Sequence, residues 1–498
     1  MMPGGRPVVA VVGGGIAGLA AAWELTGGGG PGGRRPGLPA VVLLEASPRL
    51  GGKLATEDFC GGQVEVGPDG FLGRRPEAAA LCREVGLGDD LVPVGASGAA
   101  VWARGRRRPL PEGLVLGVPT KLLPAARSGI LSVGGTLRLA SDLVAPRPDT
   151  RGPLGDRAIG PLVARKLGHQ VVERLVDPLV GGIHAGAVAD ASAAAVFPAL
   201  LTVSQGRASF MRSLRRLGGD EPGPDAAPLF WALRGGFGSL VESTARQLAD
   251  RQVDVRLSEP VEAMARRGAR WELRSGAGTQ IVDGVVVATA AGPAAALLAP
   301  HDAEAAAILR ALDYASVAVV TMAYPEDAFD DDLFGTGLLV PHGTPLPREV
   351  ADGAGLTRRE PFLVTACTYL WAKWPHLGRP GVRLLRASAG RAGDARHRSM
   401  PDGDLARRVA QELRVLVGVT RDPLETLVTR WDDALPQYRV HHLLRVAGVE
   451  AAVRRLGALA VAGAAYRGVG IPACIESGRA AAADVLGQLS APRDAATA

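Results

Sequence analysis

Gly13, Gly15 and Gly18 lie in GxGxxG spacing within VVAVVGGGIAGLAAAWEL, Val8 to Leu25. Between a strand and a helix, that spacing suits the pyrophosphate of a dinucleotide. Gly13 permits the tight turn, Gly15 lets backbone approach the phosphates, and Gly18 lets helix pack close to strand. The free N–H groups of the helix then face the anion. A second strand–glycine–helix junction, AVAGAAYRGVGIPACIESGRAAA, spans Ala460 to Ala482. Either the chain repeats a unit, or one long ligand is gripped from both ends of the sequence.

The elements that must position these turns are legible. Val8–Val12 is a continuous apolar run, as a buried parallel strand requires, and Ala17–Leu25 reads as the helix after it. AVVLLEAS, Ala40 to Ser47, is a second buried strand carrying Glu45 at its end. A carboxylate there can accept hydrogen bonds from an adenosine ribose. The interval from Gly18 to Glu45 is long, and the surplus, GGGGPGGRRPG at Gly27–Gly37, reads as a flexible surface loop.

The 498 residues suffice for two or three domains, and 47% hydrophobic with 21% charged residues describes a globular chain. A net charge of +6 is mild for this length and forms no concentrated basic stripe, which argues against nucleic acid as partner. It suits an anionic small substrate or a weak attraction to anionic lipid. Cys60, Cys82, Cys367 and Cys474 form no CxxC pair, so no zinc or other metal site is expected and a reducing compartment fits. Neither a secretory leader nor a membrane-spanning run of about 20 apolar residues is visible. A cytoplasmic protein is expected, with peripheral membrane contact left open.

After Glu45, ASPRLGGKLAT resembles the E-x-x-x-R-x-G-G signature shared by flavin amine oxidases, protoporphyrinogen oxidases and carotenoid desaturases; Arg49, Gly51 and Gly52 match. The resemblance implies non-covalent FAD. It places Gly13, Gly14, Gly15, Ile16, Ala17, Gly18, Glu45, Ala46, Arg49, Gly52 and Lys53 around the cofactor, with Arg49 near the pyrophosphate. It also explains the second junction. GVGIPACIESG resembles the family's C-terminal motif, in which a strand (here Leu459–Ala462) ends at a glycine turn and Val469, Gly470 and Ile471 meet the cofactor through backbone. The helix from Ala473 would aim its positive end at the flavin pyrimidine ring. Since this turn has neither GxGxxG nor a ribose acid, the two junctions are jaws on one cofactor and no repeat. A thioether from Cys474 to the flavin is not expected.

Four further stretches resemble porphyrinogen oxidases. GGQVEVGPDGFL (Gly61–Leu72) matches E-x-G-P-D-S-F, with Gly70 in place of serine. DPLVGGIHAGAVADASAAAVFP (Asp177–Pro198) matches P-L-x-x-G-I-Y-A-G-D, with His184 for tyrosine and Ala187 for aspartate. AKWPHLGRPGVRLLRASAG (Ala372–Gly390) and TRWDDALPQYRVHHLLRV (Thr429–Val446) match S-K-W-P…L-L-R and R-W-x-x-A-M-P-Q-Y-x-V-G-H; His441 replaces glycine and His442 is retained. In this order, bracketed by two FAD motifs, they resemble the bacterial coproporphyrinogen III oxidase type. The resemblance adds Gly67, Pro68, Asp69, Gly70, a backbone contact from Val261 to adenine, and Trp431 as a flavin-side wall. It implies Gly182, Ile183 and His184 at the substrate.

The fold expected is α/β: a discontinuous Rossmann-like FAD domain (1–84, 231–300, 446–490), a mostly helical lobe bordering the substrate cavity (85–215), and a mixed-sheet substrate domain (301–445). LRGGFGSLVESTARQL reads as a turn and amphipathic helix, VDVRLSEPVEAMARR and WELRSG as strands, and DGVVVATAAGP as a buried strand. HGTPLPREVADGAGLTRRE reads as a surface loop and SAPRDAATA as a disordered tail.

The chemistry implied is oxidation of coproporphyrinogen III to coproporphyrin III in heme biosynthesis, with O₂ as acceptor; protoporphyrinogen IX is an allied substrate. Flavin N5 would be the hydride acceptor, and no catalytic side chain is named. The implied partners are the porphyrinogen, O₂ and the next enzyme of the pathway. The basic run ARGRRRPLP (Ala103–Pro111) reads first as solvated surface and second as a propionate contact. Amine oxidases use an aromatic cage beside the flavin, whereas Ile471, Pro472 and Ala473 stand here and aromatics are 4% of the chain. Carotenoid desaturases lack the KWP and PQY stretches. A flavin- or porphyrin-binding carrier is the non-enzymatic alternative.

Overall fold

In the computed structural model, residues 6–29, 37–145, 155–206, 208–217, 227–329, 333–347 and 360–490 are described. Most of the loop expected at Gly27–Gly37, most of the one from His342 and nearly all of the tail lie outside them.

One sheet gathers the ends of the chain. Its five parallel strands run in the order Asp254–Arg256, Ala40–Leu44, Val8–Val12, Gly284–Val287 and Leu459–Val461. The three central strands are apolar and almost wholly buried, because helices cover both faces. All five strands point the same way, so the turns after Val12, Leu44, Val287 and Val461 emerge at one edge. Gly13 N–H donates to Leu44 O at 2.8 Å, Ala288 N–H to Val12 O at 2.8 Å and Ala462 N–H to Val287 O at 2.9 Å. That edge is where an open parallel sheet presents a ligand site. The helices Ile16–Leu25 and Ile471–Ser490 start there and cross closely, since a Cβ at Gly478 would overlap Ala17 O.

A second, seven-stranded sheet runs Glu425–Pro436, Tyr314–Pro325, Val382–Ala389, Val364–Tyr369, Gly337–Leu339, Ala100–Ala103 and Arg106–Pro109. Pairing is antiparallel except between Gly337–Leu339 and Ala100–Ala103. Helix Asp402–Leu416 buries Leu405, Val409, Leu413 and Leu416 against it. The first quarter or so of the span expected to be mostly helical, up to Pro119, therefore carries the strands. VWARGRRRP folds back at a Gly105 turn and completes this sheet as a hairpin; its first strand is buried throughout and its second is mostly arginine, so neither displays an alternating pattern. Helices take over from Leu122 and enclose a separate core around Ile130, Leu139, Val163, Leu175 and Phe210. Within them Val172–Gly181 is wound as a π-helix with Pro178 inside, a wide turn that recurs at functional sites.

Candidate functional site

The glycines of the first turn have separable jobs. Gly13 has φ +106°, and a Cβ there would come within 2.8 Å of Ala288 O; a Cβ on Gly18 would overlap Gly13 O. These two are required by packing. Gly15 differs: a Cβ there would meet nothing within 4 Å. Gly52 and Gly470 are likewise exposed, with only Gly15 Cα and Pro472 Cδ in reach of an added Cβ. Three glycines from three segments thus border open space beside a helix N-terminus that lacks a side-chain cap and any acidic residue in its first turn. Ile16 and Ala17 are buried in that first turn. Glu45 accepts from Gly14 N–H at 2.5 Å and Ser47 N–H at 2.8 Å, which fixes the carboxylate at the mouth of the turn and leaves lone pairs for a ribose. Ala46, exposed, follows it. The cradle fits a dinucleotide of FAD type.

Arg49 braces the loop that follows Glu45. Its guanidinium donates to Gly52 O at 2.7 Å and to Leu50 and Leu54 O at 3.2 Å, stapling the loop that carries Gly52 and exposed Lys53. Val261 opens the strand Val261–Arg267, half-buried, at a slip in register before Ala263.

The far jaw starts its helix at Ile471, two residues earlier than expected, with Pro472 tolerated in the first turn because it withholds an N–H that has no intrahelical partner. Val469 and Gly470 form the turn before it. Cys474 is buried, its thiol turned toward Gly468 O (3.8 Å) and Val469 O (3.9 Å). Burial pushes that thiol up to about 11, with Lys53 pulling the other way.

The loop from Glu65 to Gly70 lies between the Lys53 loop and the seven-stranded sheet. A Cβ at Gly67 would overlap Lys53 O, so this glycine lets the two loops touch. Pro68 follows, half-buried. Trp431 donates its indole N–H to Val66 O at 2.8 Å and lies along this loop. Asp69 has both oxygens engaged: Lys373 Nζ at 2.9 and 3.0 Å, Trp374 Nε1 at 3.3 Å and Arg386 at 3.6 Å. Burial alone would raise this carboxyl; Lys373 and Arg386 outweigh it and bring it down to about 2. Arg386 also donates to Gly67 O. Gly70 is needed for Trp374, whose Cζ2 would lie 2.7 Å from a Cβ there, so the usual serine has no room. Lys373 and Arg386 stand in motifs the sequence displays, but no spacing rule pairs residues more than 300 positions from Asp69.

Behind them, Glu65 is 9% exposed. Its Oε1 accepts from Phe237 N–H at 2.6 Å, near the start of helix Gly236–Asp250, and from Thr56 Oγ1 at 3.1 Å, while Oε2 has no partner. Burial raises the carboxyl to about 7, against the opposing effects of those donors and Arg386.

On the substrate-domain side, Gly182 and Ile183 are exposed where the π-helix ends, and Ala185 takes φ +46°. Arg391 holds this loop: it pairs with Asp177 at 3.2 Å through both nitrogens and donates to Gly186 O at 2.5 Å. Asp177 Oδ1 also accepts from Val188 N–H at 3.1 Å. Burial drops His184 to about 4, so its imidazole is neutral at ordinary pH, and its Nδ1 is buried without a partner. His184 and Ala187 border a cavity of about 170 Å³ with Gln437, Tyr438 and Arg439. Of the Ala103–Pro111 arginines, Arg104 and Arg106 are exposed, whereas Arg107 donates to Val417 O at 2.6 Å and Arg108 to Ala103 O at 3.1 Å. Among the described residues no group of His, Cys, Asp or Glu is arranged to hold a metal, and no helix is long and apolar enough to cross a membrane.

The chain matches the model of flavin-containing amine oxidoreductases over residues 16–486. It is 32% identical to coproporphyrinogen III oxidase of Bacillus subtilis, covering 97% of this chain and 99% of the relative. It is 30% identical to human protoporphyrinogen oxidase, covering 97% and 99%. A crystal structure from Exiguobacterium sp. 255-15 superposes with a TM-score of 0.82 at 30% identity, covering 97% of this chain and all of that one. The chain therefore belongs to the flavin-containing amine oxidoreductase family, in its coproporphyrinogen and protoporphyrinogen oxidase group, and its cofactor is FAD.

Proposed function

We propose that this protein oxidises coproporphyrinogen III to coproporphyrin III. The macrocycle loses six hydrogens, and three O₂ take them up as three H₂O₂. The observation that carries this reading is end-to-end similarity to a coproporphyrinogen III oxidase, 97% of one chain against 99% of the other. FAD, when bound, supplies the hydride-accepting chemistry. The chain's own part is to hold and orient. The turns at Gly13–Gly18 and Val469–Ile471 grip the cofactor, Glu45 binds the ribose, Val261 offers backbone to adenine, and Trp431 with Gly67–Gly70 walls one side. Gly182, Ile183 and His184 border the substrate, the last as a neutral hydrogen-bonding group. Residues 1–84, 231–300 and 446–490 form the FAD domain, and the enzyme works in the cytoplasm.

Purified, FAD-loaded protein given coproporphyrinogen III or protoporphyrinogen IX, with porphyrin fluorescence and H₂O₂ followed together, tests this. Faster turnover of coproporphyrinogen with three H₂O₂ per porphyrin is expected. Faster turnover of protoporphyrinogen would transfer the assignment to that substrate, and no porphyrin above the non-enzymatic background would overturn it.

A further inference from the structure

The turn between Gly463 and Gly470 carries the backbone that meets FAD, yet little in its own sequence fixes it. Gly463 and Gly468 sit at φ +120° and +156°, conformations open to glycine at small cost. Besides Ser477 Oγ, which accepts from Gly463 N–H at 3.0 Å, and Glu450, which pairs with Arg467, two side chains from another segment hold it. Tyr438 is 4% exposed, and its hydroxyl donates to Ala464 O at 2.6 Å. His442 stacks on the Tyr438 ring at 3.9 Å and 14°, and its Nε2 donates to Tyr466 O at 2.7 Å. The phenol oxygen thus ties the start of the turn, and its ring partner ties the middle.

The same residue faces the substrate side. Tyr438 O accepts from Ser192 N–H at 2.7 Å, and its ring lies 6.1 Å from that of His184. Gln437 Nε2 donates to His184 O at 2.8 Å. The substrate-side loop and the cofactor-side turn therefore meet at adjacent residues.

We propose that Tyr438 is a positioning residue: its hydroxyl sets the Gly463–Gly470 turn, and so the seating of Val469–Ile471 and the helix N-terminus against the flavin end of FAD. A displacement on the order of 1 Å in such a support costs about a hundredfold in rate without any loss of a reacting group. The inference rests on FAD as cofactor and is independent of which porphyrinogen is oxidised.

Tyr438→Phe keeps the ring stack and removes one oxygen. Tyr466→Phe is the control, because that hydroxyl is buried in the same turn without a hydrogen-bond partner. Each variant is compared with wild type for FAD affinity, visible flavin spectrum, midpoint potential, and kcat and KM. For Tyr438→Phe, FAD binding is expected to weaken by about fivefold to tenfold, as one lost buried hydrogen bond warrants. Its flavin spectrum and potential shift, and kcat falls about tenfold with KM within about twofold. Tyr466→Phe leaves all of these at wild-type values. A Tyr438→Phe protein with unchanged spectrum, potential and FAD affinity overturns the inference, as does a Tyr466→Phe protein that moves them equally. The flavin readouts need no porphyrinogen, so failure of the substrate assignment and failure of this inference are told apart.

Discussion

Replacing Glu65 by Gln should make the protein more tolerant of alkaline pH. The wild-type carboxyl is raised by burial from 4.5 to about 7. Below about pH 4.5 the folded and unfolded chains both hold the proton, and the group costs nothing. Between 4.5 and 7 the unfolded chain releases it while the folded chain keeps it, so stability falls as pH rises. Above 7 the loss is complete, at roughly 3 kcal/mol from 1.36 kcal/mol per pKa unit. Between pH 5 and 8 the wild type should lose about 2.5 kcal/mol through this group. Gln keeps an acceptor for Phe237 N–H and Thr56 Oγ1 but cannot ionise. The difference between the two proteins cancels every other titrating group. The assay is thermal unfolding of both, with FAD saturating, from pH 5 to 8. At roughly 1–2 °C per kcal/mol for a chain of this size, Glu65→Gln should gain about 3–5 °C on wild type across that range. Parallel curves would refute the reasoning, since they would mean that Glu65 ionises as freely in the fold as in the unfolded chain.

Gly15→Ala should fold normally, because the added Cβ meets nothing, yet bind FAD more weakly; Gly18→Ala should yield little folded protein, because its Cβ overlaps Gly13 O. Apoprotein melting and FAD retention on a desalting column separate the two effects. Lys373→Met leaves the Asp69 carboxylate with Arg386 at 3.6 Å as its one remaining cation among the described residues, and breaking such a buried pair should cost roughly 3 kcal/mol by urea unfolding. Asp69, held at about 2 instead of 3.8, contributes stability above about pH 4 that disappears as pH falls through 2, and Lys373→Met should flatten that acid limb. All FAD should leave the protein on acid precipitation, and Cys474 in the holoprotein should resist iodoacetamide at pH 8, since its thiol lies near 11; labelled Cys474 or protein-bound flavin in the pellet would contradict this.

The sequence by itself displayed the two glycine junctions and the group of enzymes to which the chain belongs. GxGxxG, Glu45 and the Gly463–Gly470 turn are local patterns whose residue types are dictated by a turn, a close approach or a hydrogen bond within a few residues. It also showed that the two glycine junctions were not a repeat. What brought them together was the parallel sheet, which delivers Val12, Leu44 and Val461 to one edge although Val461 lies more than 400 residues from the other two. The hairpin at Ala100–Pro109 was hidden because its second strand is mostly arginine, and the contact of Arg107 with Val417 O is a tertiary matter. The Asp69–Lys373–Arg386 cluster, the protonated Glu65, the Asp177–Arg391 clamp and the Tyr438 latch were decided by the fold alone. Each depends on a charge or hydroxyl losing water and meeting a partner from another segment, and neither desolvation nor long-range pairing leaves a spacing that a single sequence can display.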